Sequence, residues 1–263
     1  MNIGIVGLGV VGSACRQGFE LIGHTVNVHD IKMSTSLTDL LNAEIIYVCV
    51  PTPENIDGSC NTDAIEQTVA ELSKLNYKGV IALKSTSAPG TTQKLIDKYK
   101  LRICFVPEFL RERCAVEDFI NNHELLAVGT DDPEIFEIVV KSHGSLPKHT
   151  SMLNSTEAEV LKYFSNVFNA VRVVFSNNIY EICKSMDLDY TKIKDTYLLR
   201  NTASPDYMDV NEDLRGYGGM CLPKDTKALD ALVKQLGLDL KLFETIDQDN
   251  QKFKRTVFPG MRD

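Results

Sequence analysis

Nowhere in this 263-residue chain is there an apolar run of the roughly 20 residues that a membrane-spanning helix needs, so no membrane association is expected. The N-terminus, Met1-Asn2-Ile3-Gly4-Ile5-Val6, has neither the basic leader nor the cleavage site of a secretory signal, and reads as a strand. The seven cysteines are odd in number and scattered, and none falls in a C-x-x-C pair. That excludes a disulfide framework and points to reduced thiols in a cytoplasmic protein. The five histidines cluster neither with one another nor with cysteine at ligand spacing, so no metal is expected. There is no basic excess: the net charge is −8, which argues against binding nucleic acid through a positive surface. Internal repeats and low-complexity segments are also missing.

What remains is an ordinary globular composition, 43% hydrophobic and 24% charged, long enough for one large domain or two smaller ones. Residues 1–150 alternate short apolar runs with amphipathic stretches. Strands are expected at Ile3–Val6, Thr25–His29, Glu44–Val50, Val80–Leu83, Arg102–Val106 and Glu124–Val128. Helices are expected up to Leu21 and over Thr62–Leu75, Thr91–Tyr99 and Pro133–Lys141. This alternation predicts an α/β domain with a doubly wound parallel sheet. From 151 to 263 the pattern turns helical. A stretch free of Pro and Gly runs from Ser155 to about Met186, opening on the capping-type Ser155-Thr156-Glu157. Shorter helical pieces follow at Tyr190–Leu199, Thr226–Leu236 and Leu242–Lys254, with an irregular loop over 201–215. An all-α second domain with a long central helix is expected.

Two motifs carry chemistry. Gly7-Leu8-Gly9-Val10-Val11-Gly12 follows a strand and opens a helix, and Asp30 ends the next strand. Glycines there permit a tight turn and close approach of a pyrophosphate, and the acid suits ribose hydroxyls, favouring NAD over NADP. The bland alternative is a tight turn with no ligand. Near the other end, Tyr217-Gly218-Gly219-Met220-Cys221-Leu222-Pro223 runs into Lys224-Asp225. A cation beside a thiol favours the thiolate, and a carboxylate can orient a water. The alternative for Cys221 is a small buried side chain. Val50-Pro51-Thr52-Pro53, Lys84-Ser85-Thr86 and Pro107-Glu108-Phe109-Leu110-Arg111-Glu112 each follow a strand, at the sheet edge where open α/β folds bind ligands. Lys162 and Asn166 share a helix face, as a pair for one ligand oxygen or as a solvated stripe.

Taken together these segments, with Glu157-Ala158-Glu159-Val160-Leu161-Lys162-Tyr163-Phe164-Ser165-Asn166, resemble the UDP-glucose 6-dehydrogenase / GDP-mannose dehydrogenase family over nearly the whole chain. The resemblance implies an N-terminal Rossmann-type NAD-binding domain (1–150) and a helical central domain (151–263) that serves dimerisation and catalysis. It implies oxidation of a UDP-sugar hydroxymethyl group to a carboxylate with two NAD⁺, through a thiohemiacetal and a thioester on Cys221. Lys162 and Asn166 would stabilise the oxyanions, and Asp225 and Glu112 with Thr86 would hold the hydrolytic water. NAD would lie against Gly7, Gly9, Val10, Val11, Gly12 and Asp30, with Thr52, Thr86 and Lys224 also in contact. Glu108, Phe109 and Leu110, together with Tyr217, Gly218, Gly219 and Arg200, would meet the substrate, with ordering of the hydrolytic water as the alternative for Glu108. The stripe Val160, Phe164, Val167/Phe168, Val171, Val174/Phe175 suits a homodimer interface. Three departures stand out: a short segment after Asp30, a long 201–215 loop, and an end at Asp263 before the family's third, nucleotide-binding domain. The other readings are a GDP-mannose 6-dehydrogenase, a non-catalytic NAD-binding subunit, and a hydroxyacid dehydrogenase. The last needs no cysteine.

Overall fold

Apolar runs too short for helices form the first half of the molecule. In the computed structural model, which describes residues 1–258, β1 (Asn2–Val6), β2 (Thr25–His29), β3 (Ile45–Val48), β4 (Val80–Leu83), β5 (Ile103–Phe105), β6 (Leu125–Gly129) and β7 (His149–Leu153) build one sheet in the order β2-β1-β3-β4-β5-β6-β7. β3 and β4 are buried at every position, as strands covered on both faces must be. Alternate residues serve opposite cores. Ile3, Ile5, Ile45 and Tyr47 pack with α1 (Val10–Leu21) on one face. Val6, Ile46 and Val48 pack with α2 (Asp63–Lys74) on the other. Each fully buried Ile contributes roughly 1.5–3 kcal/mol of hydrophobic stabilisation.

The sheet departs from the expected one in two places. β5 and β6 pair antiparallel, through Phe105 and Gly129. α3 (Thr91–Tyr99) covers β4 and β5, but the next connection carries a short 3-10 turn (Glu112–Cys114) and the six-residue α4 (Ala115–Ile120). α4 packs its Phe119 on Gly18 of α1 and does not bridge β5 to β6 as a crossover helix would, so the chain returns in the opposite sense. After α5 (Pro133–His143), β7 extends the sheet past residue 150, the expected domain boundary. Its sequence, His-Thr-Ser-Met-Leu, is that of a solvated edge strand and has no apolar run to announce it.

The chain divides into two compact units. One holds Met1–Asn55 and Cys60–Lys162, and the other holds Ile56–Ser59 and the residues from Tyr163 onward. The division falls within α6 (Ser155–Ser185). The cap of that helix is Asn154, one residue ahead of the expected serine. Asn154 and Glu157 exchange backbone-to-side-chain bonds of 2.9 Å. The second unit continues with α7 (Tyr190–Tyr197), β8 (Gly216–Tyr217), α8 (Leu222–Gln235), α9 (Leu242–Asn250) and β9 (Arg255–Thr256). It is not purely helical, because β8 and β9 form a two-residue parallel ladder. Residues 259–263 of the expected 151–263 domain lie outside the described residues.

A Cβ on Gly18 would come within 2.3 Å of the Phe119 ring. Gly18→Ala is expected to destabilise the first unit by about 1–3 kcal/mol through overpacking. Urea unfolding with an unchanged m-value checks this.

Candidate active site

The glycine turn is shaped by sterics. Gly7 has φ +90°, and a Cβ there would lie 2.6 Å from the Cys49 carbonyl oxygen. At Gly12 a Cβ would lie 1.9 Å from the Gly7 carbonyl oxygen. Gly9 faces open space instead: a Cβ there would meet nothing within 4 Å. Gly9 is the N-cap of α1 and supplies no side chain, so Val10 and Val11 begin the helix at an uncovered positive end. Asp30 is already fixed. Its carboxylate accepts from the Leu8 amide at 2.7 Å and the Lys32 amide at 2.9 Å. These two backbone bonds hold its pKa below the ordinary carboxylate value, keeping an anion ready for ribose hydroxyls. The open cradle, helix end and fixed acid fit a dinucleotide. Thr52 stands half-buried in the loop after β3.

At the ends of β4 and β5 the structure brings Glu108, Phe109 and Lys162 together around Lys84, a residue of the Lys84-Ser85-Thr86 segment to which the sequence assigns no individual role. Lys84 and Glu108 are both buried and form an ion pair of 2.9 Å. Burial opposes both charges, yet each wins: the Lys84 ammonium is held above its ordinary pKa by Glu108, and the Glu108 carboxyl below its own by Lys84. Glu108 was expected to meet the sugar. Its side chain turns inward instead, to Lys84 and, at 2.9 Å, to the Phe109 amide. Its carbonyl oxygen accepts from the Lys162 ammonium, which also lies 5.7 Å over the Phe109 ring. Leu110 packs on the core. Arg111 and Asp118 pair through two side-chain bonds of 2.9 and 2.6 Å, closing the loop that carries Glu112. Thr86 accepts at its carbonyl from the Cys60 thiol at 3.4 Å.

A further carboxylate, Glu159, is fully buried. It accepts from the Gly90 amide at 2.5 Å, the Thr92 amide at 2.8 Å and hydroxyl at 2.6 Å, and the Ser87 hydroxyl at 3.1 Å. Burial raises its pKa in spite of these bonds. Gly90 is the N-cap of α3 and offers no side chain, so Glu159 caps that helix from α6 and fixes the loop that follows Thr86. The sequence signals for its helix are the Pro- and Gly-free stretch and the capping-type start at 155–157, and neither points to this role for Glu159.

In the second unit, Cys221 is the exposed N-cap residue of α8. The positive end of a helix is where a thiolate is favoured. Asp225, 1% exposed, accepts from the Asn166 amide at 2.6 Å and from the Lys224 ammonium at 2.7 Å. Its own amide donates to the Cys221 carbonyl oxygen at 2.9 Å. The structure thus ties Asn166, Lys224, Asp225 and the Cys221 backbone into one hydrogen-bonded group.

Tyr217 does not fit its expected place on a sugar pocket. It is 4% exposed and packs with Ala170, Val174 and Ile246 in the core of this unit, where burial pushes its phenol up to about 12. The Asn250 side chain brackets its backbone, at 2.8 and 3.0 Å. Gly218 has a structural use as well, because a Cβ there would lie 2.8 Å from the Thr256 carbonyl oxygen across the β8–β9 ladder. Gly219 takes φ +74° in the turn toward Cys221. Arg200 is exposed, with its guanidinium 5.9 Å over Tyr197. Among the described residues no group of three or more His, Cys, Asp or Glu could hold a metal ion. No helix among them is long and apolar enough to cross a membrane.

Comparison with known proteins bears on both units. Residues 31–144 match the NAD binding domain of the UDP-glucose/GDP-mannose dehydrogenase family, and residues 156–252 match its central domain. The chain belongs to this family. A UDP-glucose 6-dehydrogenase of Bacillus subtilis (strain 168) is 30% identical over 219 residues, covering 80% of this chain and 47% of the relative. A UDP-glucose 6-dehydrogenase of Rickettsia bellii (strain RML369-C) is 25% identical over 96% of this chain and 67% of its own length. The chain therefore spans between about half and two thirds of these curated relatives. A solved UDP-glucose dehydrogenase from the archaeon Pyrobaculum islandicum shares the fold, with a TM-score of 0.88 at 23% identity, over 95% of this chain and 68% of that one. Family membership and the open cradle agree on NAD as the cofactor.

Asp30→Asn is expected to weaken NAD binding at least about tenfold by calorimetry, since it removes charge-assisted hydrogen bonds. The same variant tests the sign of the Asp30 shift. A depressed pKa gives stability that is present above the ordinary value of 3.8 and lost as pH falls through the lower folded value. Wild type should exceed the variant in melting temperature at neutral pH, with the gap closing in that acid range.

Proposed function

We propose that this chain carries out the chemical steps of a nucleotide-sugar 6-dehydrogenase, with UDP-glucose as the foremost substrate. The observation that carries this reading is the exposed Cys221 at the start of α8, beside the buried Asp225 that Asn166 and Lys224 hold in place. A dehydrogenase that stopped at the aldehyde would have no use for such a thiol.

The reaction removes four electrons from C6. NAD⁺ supplies the hydride acceptor for each two-electron step when bound at the Gly7–Gly12 turn and Asp30. The C6 hydroxyl loses its proton as the first hydride leaves, giving an aldehyde. A bare aldehyde carbon has no tetrahedral oxyanion from which to expel a second hydride. The Cys221 thiolate therefore adds to it, forming a C–S bond and a thiohemiacetal oxyanion. The Lys162 ammonium and the Asn166 amide are suited to that negative oxygen, as a cation and as an oriented dipole. Loss of the second hydride leaves a thioester. Water then adds, the C–S bond breaks, and the carboxylate leaves with Cys221 restored. Asp225 and Glu112, with Thr86, are assigned to that water. Asp225 can accept its proton, and Asn166 and Lys224 offset the charge Asp225 carries beforehand.

The same reading includes a homodimer in a cytoplasmic setting. On α6, Val167 and Val174 are buried at 2% and 4%, whereas Phe164, Phe168 and Phe175 stand 67%, 51% and 59% exposed. Phe164 and Phe168 stack at 6.1 Å in the open. Such a face on a soluble protein marks an interaction surface. All seven cysteines are free thiols, as a reducing compartment requires.

Protein mixed with NAD⁺ and UDP-glucose, and separately with GDP-mannose, should form two NADH per sugar. Cys221→Ser should reduce that overall turnover by at least about a thousandfold, the scale of losing a covalent nucleophile. Formation of no NADH with any nucleotide sugar, despite NAD binding, overturns the enzymatic reading. Unchanged turnover in the serine variant overturns the thioester route. For the dimer, Phe168→Glu should shift the sedimentation coefficient from dimer to monomer at micromolar concentration. A monomeric wild type contradicts that assignment.

A further inference from the structure

Lys84 is a buried cation with no part in the scheme above. Its ammonium lies 5.7 Å from the Tyr47 ring and 5.9 Å from the Phe119 ring, with Cys15, Cys49 and Cys104 in the surrounding core. His123 and His143 are also buried nearby, and burial lowers the pKa of both, so they add no further positive charge beside it. Among the described residues, the anion paired with it is Glu108, at 2.9 Å. A buried ammonium costs several kcal/mol unless paired, and so does a buried carboxylate. Neither side chain can therefore leave without the other losing its partner.

Glu108 uses its two ends differently. The carboxylate is held by Lys84 and by the Phe109 amide. The carbonyl oxygen of the same residue receives the Lys162 ammonium. A lysine side chain has several rotatable bonds, so the position of its charge is set by what it donates to. Where the Glu108 carbonyl points is set in turn by the anchored carboxylate on the same residue.

We infer that Lys84 is a positioning residue for Lys162, acting through Glu108. The buried pair fixes the 107–110 turn, and the turn holds the ammonium of Lys162 in one place. The inference rests on the reading of Lys162 as the oxyanion-stabilising cation. It also accounts for Glu108 facing inward: its carboxylate is engaged in holding the turn.

The test is lysine-selective acetylation of the whole chain, read by peptide mass spectrometry, which needs no turnover. Lys84→Met should raise the labelling rate of Lys162 about tenfold, as expected when a charge-assisted hydrogen bond is lost. Lys98 and Lys148, whose side chains are 60% and 56% exposed, should be labelled as in wild type and report an intact fold. Lys84→Met leaves Glu108 unpaired and can fail to fold. The double variant Lys84→Met/Glu108→Gln removes both charges and should fold, with Lys162 labelling raised to the same degree. Wild-type labelling of Lys162 in either folded variant overturns the inference. Turnover gives a separate arm: kcat should fall about tenfold while NAD affinity, set at Asp30, stays within about twofold. An NAD-binding protein that turns over no nucleotide sugar would sink the functional reading, while the labelling result would still decide the role of Lys84.

Discussion

A charge taken out of water must be met by another charge, and the ligand-binding edge of the first unit is organised by that rule. Lys84 at the end of β4 and Glu108 after β5 are each too buried to stand alone. Their pairing at 2.9 Å sets the turn over 107–110, and the turn receives Lys162 from α6. Glu159, nearby on α6, does the same for the neighbouring loop: it accepts four hydrogen bonds from Ser87, Gly90 and Thr92. Both fix loops that the sheet alone would leave free, as a preorganised site requires.

The second unit solves a related problem with different groups. Asp225 is 1% exposed and is satisfied by an amide and an ammonium, Asn166 and Lys224. Cys221 remains exposed at the start of α8, where the helix end favours negative charge. The glycines and tyrosine before it do structural work. Tyr217 fills the core between α6 and α9, and Gly218 lets β8 approach β9. The motif around the thiol thus combines a packing half, residues 216–219, with a hydrogen-bonded half, residues 221–225.

The sheet and helices were largely legible in the sequence, because a buried strand and an amphipathic helix each leave a periodic mark. β2, β4 and α3 lie where the pattern of apolar residues puts them. β7 was hidden because an edge strand reading His-Thr-Ser-Met-Leu has nothing to alternate. The antiparallel β5–β6 step was hidden because direction depends on where α4 packs, a tertiary fact. Among candidate site residues, the glycines of the first turn, Asp30 and the Cys221 motif carry local signals that can be read from the sequence. The roles of Lys84 and Glu159 are not legible locally, since the burial of each and its partners, Glu108 for one and the Ser87–Thr92 loop for the other, are set by tertiary packing. The pocket role of Tyr217 comes from the family resemblance alone, and its burial at 4% is a tertiary fact that no local signal carries.

The central claim is that Cys221 becomes covalently attached to the sugar during oxidation. Acid quenching of the protein during turnover with NAD⁺ and UDP-glucose, followed by peptide mass spectrometry, tests it most directly. A nucleotide-sugar acyl adduct on the peptide containing Cys221, and on none of the other cysteine peptides, is the result expected. Turnover with no adduct on Cys221, or with the adduct on a different cysteine, would contradict the account.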